Sequence, residues 1–174
     1  MVKPKYTWLP SPNFTPKNPG RSISCIVLHA TATSGKNSAL EWLCNPQSKV
    51  SAHYLIDRLG MIYQLVIDQN IAWHAGQSEW KGKPNVNTFS IGIELVNSND
   101  GIMLYPEEQI KACVGLCHSA IEEYKINLND IVGHCDIAPI RKNDPLNFPW
   151  HEFRTMLINL GIEVAEEEPQ EEST

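Results

Sequence analysis

What most constrains this chain is the way its apolar residues are cut into short, β-branched runs that end abruptly in polar or glycine-containing loops. Residues 22–30 (SISCIVLHA) form one run and stop at TATSG. Residues 52–57 (AHYLID) and 61–67 (MIYQLVI) flank Arg58-Leu59-Gly60, residues 90–96 (SIGIELV) form another run, and 131–134 a brief one. Runs of this length bounded by turn residues predict strands, and the short connection at 58–60 predicts a β-hairpin. Residues 38–43 suit a short helix that stops near Asn45-Pro46, because a residue before proline avoids helical geometry. Over 106–125, Ile110, Val114, Cys117 and Ile121 recur at three- and four-residue spacing behind Pro106, with Glu107 and Glu108 in the first turn; this predicts a longer helix. A final helix is expected from Trp150, after a proline-punctuated loop over 136–149. Helix and strand alternate without internal repeats, so the expectation is a single α/β domain, a mixed central β-sheet flanked by helices.

Composition sets the limits of that domain. At 174 residues, 42% hydrophobic and 20% charged, the chain can bury one core, which excludes a disordered, collagenous or coiled-coil class. No stretch approaches the roughly 18 apolar residues of a membrane span, and the opening MVKPKYTWLPSPNF resembles no secretory signal, so a soluble, unexported chain is expected. Five prolines in the first twenty residues (Pro4, Pro10, Pro12, Pro16, Pro19) predict an extended segment over 1–21 that resists helix and sheet. The folded domain is expected over 22–162, followed by an acidic, disordered tail over 163–174. Glu166, Glu167, Glu168, Glu171 and Glu172 account for five of the six net negative charges. The body is therefore close to neutral, and without a basic stripe nucleic acid is not an expected partner. The five cysteines are an odd number with no C-x-x-C pair, and Cys113 and Cys117 lie one helical turn apart in an apolar pattern. Reduced thiols in a reducing compartment follow as the expectation.

The chain has no Walker loop, no G-x-G-x-x-G, no H-E-x-x-H and no G-x-S-x-G. What remains is a set of polar residues where apolar strands end: His29, His134 and, ten residues on, Asp144. Two imidazoles and one carboxylate satisfy zinc's preference for nitrogen and oxygen donors and leave a fourth tetrahedral position for water, the mark of a catalytic site. Such a centre stays electropositive and polarises a carbonyl. The spacing alone is unspecific, since a histidine at a strand end can equally be a core or surface residue.

Five blocks narrow the choice: IVLHATAT (26–33), SAHYLID (51–57), WHAG (73–76), SIGIELVN (90–97) and GHCDIAPIRKNDP (133–145). In this order they resemble the zinc-dependent N-acetylmuramoyl-L-alanine amidases of type 2, a family that includes peptidoglycan-recycling and periplasmic amidases, amidase-type phage lysozymes and peptidoglycan recognition proteins. The resemblance implies that fold, and hydrolysis of the amide joining N-acetylmuramic acid, or its anhydro form, to L-alanine in peptidoglycan or muropeptides. It implies Zn2+ held by His29, His134 and Asp144, Glu94 as acid/base residue, and Lys142 as the cation that stabilises the oxyanion. The competing readings are a salt-bridged core Glu94 and a solvent-facing Lys142. Tyr54, His53 beside it, and His74 of WHAG are expected to meet substrate, with Trp73 as wall or core. Asp136 is a candidate second partner for a ligand histidine, and Arg141 is expected to be structural or solvent-facing. Ile140 and Leu146-Asn147 depart from the small residues common in relatives, which bears on cleft shape rather than chemistry. No separate wall-binding domain is expected after Trp150. Some members of this fold bind peptidoglycan without cutting it, and that is the alternative function. The thiols favour the cytoplasm, whereas AWHAGQSEW and SIGIELVN look more like the periplasmic branch.

Overall fold

The computed structural model describes residues 4–16 and 20–163, and the proline-rich opening is the first point at which it departs from expectation. The segment is extended, yet it pairs: β1 (Thr7–Trp8) runs parallel to a central hairpin strand and β2 (Phe14–Thr15) lies antiparallel to a later two-residue strand. Proline denies a backbone donor only at its own position, so the two residues between Tyr6 and Leu9 remain free to join a sheet edge. The expected tail over 163–174 lies, past residue 163, outside the described residues.

The chain continues through β3 (Cys25–Ala30), α1 (Lys36–Cys44), β4 (Tyr54–Ile56), β5 (Ile62–Gln64), β6 (Ile71–Ala72), β7 (Glu79–Trp80) and β8 (Lys83–Pro84). It closes with β9 (Ser90–Leu95), α2 (Glu107–Tyr124), β10 (Ile131–Gly133), α3 (His134–Ile137) and α4 (Trp150–Asn159). The six-stranded sheet has the order β1-β5-β4-β9-β3-β10. β4 and β5 pair antiparallel as the expected hairpin, and the other neighbours are parallel, so the sheet is mixed and the fold class is as expected.

Strand side chains alternate between faces. Ile26 and Leu28 of β3 and Ile91, Ile93 and Leu95 of β9 point to one side, where Ile110, Cys113, Val114, Cys117 and Ile121 of α2 and Phe153 and Leu157 of α4 close the main core. The helical spacing that predicts α2 thus marks the face it buries. On the other side Cys25 and Val27 meet Val132, Ile137 and Ala138, and Leu55 meets Ala39 and Leu43 of α1. This thinner layer leaves room for a cleft above β3 and β9.

The expected strands are shortened at their ends, β6, β7 and β8 are strands the sequence pattern does not predict, and two boundaries near the cleft differ in kind. His134 opens a short helix instead of ending a strand, because the Asp136 carboxylate accepts the Gly133 N–H at 2.7 Å and turns the chain there. The expected loop over 136–149 therefore begins inside α3.

Candidate metal centre and catalytic cleft

His29 is the fifth residue of β3, and β10 pairs in parallel beside it, so His134, the residue after β10, starts on the same side of the sheet. The following loop doubles back. Arg141 N–H and Lys142 N–H both donate to the Ala138 carbonyl, and Cys135 N–H donates to the Asp144 carbonyl at 2.9 Å, which draws Asp144 over His134. Three donor atoms meet there: His29 Nδ1 is 2.9 Å from His134 Nδ1, and Asp144 Oδ2 is 3.2 Å from His134 Nδ1 and 3.5 Å from His29 Nδ1. The three residues are 1%, 4% and 8% exposed.

This donor set fits a zinc ion. With zinc–nitrogen and zinc–oxygen distances of about 2.0–2.1 Å, the ligand atoms of a tetrahedral site stand about 3.3 Å apart, close to the three edges measured here. Polarity agrees. His134 Nε2 lies 3.2 Å from the Ala75 carbonyl oxygen; a carbonyl only accepts, so Nε2 carries the hydrogen and Nδ1 presents a lone pair to the triad. Burial lowers the His29 imidazole to about 4, with Asp144 opposing. For Asp144 burial acts upward, but the two adjacent imidazoles hold its carboxyl below the usual carboxylate range. Neutral imidazole and ionised carboxylate are the forms that bind a divalent ion.

Glu94 of β9 sits opposite His29 in the ladder and lines the same cleft. Its Oε2 is buried and has no hydrogen-bond partner among the described residues. Burial, reinforced by the charge of Asp144 and opposed by Lys142, raises its carboxyl to about 8. An unpaired buried carboxyl oxygen is costly in a structural role, which argues against a salt-bridged core residue. The half-buried Lys142 also lines the cleft and forms no ion pair with a described residue. The cleft, of about 580 Å3, is lined beyond the triad by Ser51, Trp73 and Trp42 of α1, and by Asn99 and Asn143.

The three residues expected at the substrate sit differently. Tyr54 pairs in register with Ile93, so it shares the face of Ile93 and points away from Glu94. Its hydroxyl donates to Asp68 Oδ1 at 2.7 Å on the α2 side of the sheet. His53 is fully buried beneath the cleft; its Nδ1 accepts the Gly92 N–H at 3.0 Å and its Nε2–H donates to the Asn70 carbonyl at 3.1 Å. His74 does border the cleft, but both its nitrogens are engaged, Nδ1 3.0 Å from His29 Nε2 and Nε2 3.1 Å from Ser90 Oγ. Burial and the neighbouring imidazoles keep its pKa well below the ordinary value. Asp136 caps α3 and does not serve a ligand histidine, while Arg141 is a tie, donating to the Ala75 and Gln77 carbonyls at 2.8 and 2.9 Å. Ser90 and the Ala75 carbonyl escaped sequence reasoning. For Ser90 the available signal was the alternation Ser90, Gly92, Glu94 within SIGIEL; for a carbonyl no side-chain signal exists.

Comparison with known proteins agrees with this geometry. A family model described as N-acetylmuramoyl-L-alanine amidase matches residues 19–147. The chain is 40% identical over 146 residues to N-acetylmuramoyl-L-alanine amidase AmiD of Escherichia coli K12, a match covering 75% of this chain and 52% of that protein. It is 41% identical over 110 residues to 1,6-anhydro-N-acetylmuramyl-L-alanine amidase AmpD of Citrobacter freundii, covering 63% and 58%. The chain thus spans little more than half the length of these two relatives. A solved complex of E. coli AmiD with the substrate anhydro-N-acetylmuramic acid-L-Ala-D-gamma-Glu-L-Lys superposes with a TM-score of 0.71 at 33% identity, covering 91% of this chain and 69% of that one. With the sheet, the His-His-Asp cluster and the sequence match in agreement, the chain belongs to the N-acetylmuramoyl-L-alanine amidase family.

Proposed function

We propose that this chain is a zinc-dependent amidase that hydrolyses the bond between the lactyl group of N-acetylmuramic acid, or its anhydro form, and the L-alanine of the stem peptide. The observation that carries the reading is the convergence, in one cleft, of the His29, His134 and Asp144 donor atoms with a Glu94 carboxyl whose Oε2 has no hydrogen-bond partner among the described residues. The three would hold zinc, which when bound supplies a Lewis acid and lowers the pKa of water. The chain's own groups account for the proton movements. Water attacking the carbonyl must lose a proton, and the ionised Glu94 carboxylate accepts it; the departing alanine amine must gain one, and the same carboxyl group returns it. Negative charge develops on the carbonyl oxygen as the tetrahedral centre forms, and the Lys142 ammonium stabilises it there more than in the ground state.

AmiD's complex with an anhydromuramyl peptide supports the same substrate class. A cytoplasmic location is part of the proposal and rests on the five free thiols. Release of alanine-terminated peptide from anhydromuropeptide, set beside intact sacculi, tests the function. Zinc-loaded protein is expected to release it, while His134→Ala and Asp144→Ala lose both metal and hydrolysis. Undiminished cleavage by metal-stripped protein would remove zinc from the account, and binding without cleavage would make the chain a recognition module.

A further inference from the structure

His29, His74 and Ser90 form a hydrogen-bonded chain whose direction is fixed at its far end. Ser90 Oγ lies 2.7 Å from the Val86 carbonyl oxygen, which can only accept, so the single hydroxyl hydrogen is committed there. The 3.1 Å contact between Ser90 Oγ and His74 Nε2 must then run the other way, with Nε2–H donating. A neutral imidazole has one N–H and one lone pair, so His74 Nδ1 is left as an acceptor. The 3.0 Å contact at that atom is met by His29 Nε2–H. His29 Nδ1 is consequently a lone pair directed at His134 and Asp144.

We propose that Ser90 and His74 are positioning residues that set the tautomer of His29, so that its Nδ1 is ready to ligate a metal before one arrives. The inference rests on the metal-centre reading of the triad and adds a device to it. β9 is built for this: Ser90, Gly92 and Glu94 share one face, Ser90 is fully buried, and a Cβ on Gly92 would run into the His74 ring. One strand therefore anchors the relay, leaves space for its middle member and carries the acid/base residue. In the opposite tautomer His29 would point an N–H at the triad, and a metal could bind only after that proton moved. Outer-shell partners that fix ligand orientation are worth about 10–100-fold in metal affinity.

Long-range 1H–15N spectra of histidine-labelled protein read the tautomers directly, in zinc-loaded and metal-stripped samples. The expected result is His74 carrying its hydrogen on Nε2 in both; a hydrogen on Nδ1 would overturn the proposal. Ser90→Ala removes the terminal acceptor and is expected to lower zinc affinity about 10–100-fold in a chelator competition, with the circular dichroism of the metal-free protein unchanged. Unchanged zinc affinity in that variant would equally overturn it. If Ser90→Ala does not fold, the spectra of the unaltered protein still decide. Neither readout uses hydrolysis, so a protein that shows both effects but cleaves nothing would defeat the amidase reading and leave the relay in place.

Discussion

A carboxyl group on a strand inside an apolar sheet stays there against its own solvation, and Glu94 does so without a hydrogen-bond partner for Oε2 among the described residues. Glu94→Gln keeps shape and polarity but removes the carboxyl that can take up and return a proton. It is expected to retain stoichiometric metal while turnover falls about 10²–10⁴-fold, the usual range for a lost general base; metal analysis beside kcat checks this, and turnover near the parent value would remove Glu94 from the proton path. His53 presents the opposite problem, an imidazole that must stay neutral. Burial first and the Arg21 charge second lower its pKa to about 3, against about 6.5 in the unfolded chain. The unfolded state therefore binds the extra proton between those values, so the contribution of His53 is complete above pH 6.5 and is lost as pH falls towards 3. The slope is up to about 1.4 kcal/mol per pH unit. His53→Asn, which can still accept from the Gly92 N–H, should flatten the stability profile of the metal-free protein between pH 3 and 6; an unaltered slope would place the acid sensitivity elsewhere. At this scale residue types were legible, because Glu inside SIGIELV and His at strand ends are anomalous. Partners were not, since His74 meets Ser90 only when two distant segments are packed together.

Element by element, alternation carries the information. In β9, Ile91, Ile93 and Leu95 face the helices while Ser90, Gly92 and Glu94 face the cleft, a pattern visible in the six letters SIGIEL. In β3 every residue is buried, and the apolar run CIVLHA conceals which way His29 points until the ladder with β9 sets it opposite Glu94. Tyr54 shows how sharp this is: its register with Ile93 turns it to the wrong side of the sheet for a substrate contact. The β4–β5 turn is a second instance of close fit. Gly60 has φ +79°, and a Cβ there would come within 2.7 Å of the Glu108 carbonyl oxygen at the start of α2. Gly60→Ala is accordingly expected to cost about 1–3 kcal/mol, from the left-handed backbone alone, before the contact is counted. Urea unfolding of the two proteins checks this through the midpoint, and an unshifted midpoint would show that the turn can leave the left-handed conformation as well as its contact with α2.

Over the whole molecule, the opening segment is tied into the domain and does not merely precede it. Asn13 is buried, and its Nδ2 lies 2.8, 3.1 and 2.9 Å from Asn45 O, Ser48 Oγ and Val50 O, bridging the end of α1 to the approach to β4. Asn13→Ala is expected to cost about 1–3 kcal/mol and to speed amide exchange over 45–50; exchange at the parent rate would mean the bridge is dispensable. Local sequence determined strands β3, β4, β5, β9 and β10, the amphipathic α2 and the residue types of the centre, because periodicity, prolines and a charged residue in an apolar run act within a few positions along the chain; the two-residue strands β1, β2, β6, β7 and β8 left no such pattern. Which atoms converge was decided only by tertiary structure. His29 and Asp144, 115 residues apart, meet because β10 pairs beside β3 and a short turn carries the chain back. The hydrogen-bonded chain from Ser90 to His29 exists only where β9 and the WHAG loop are pressed together, and no local propensity encodes that contact.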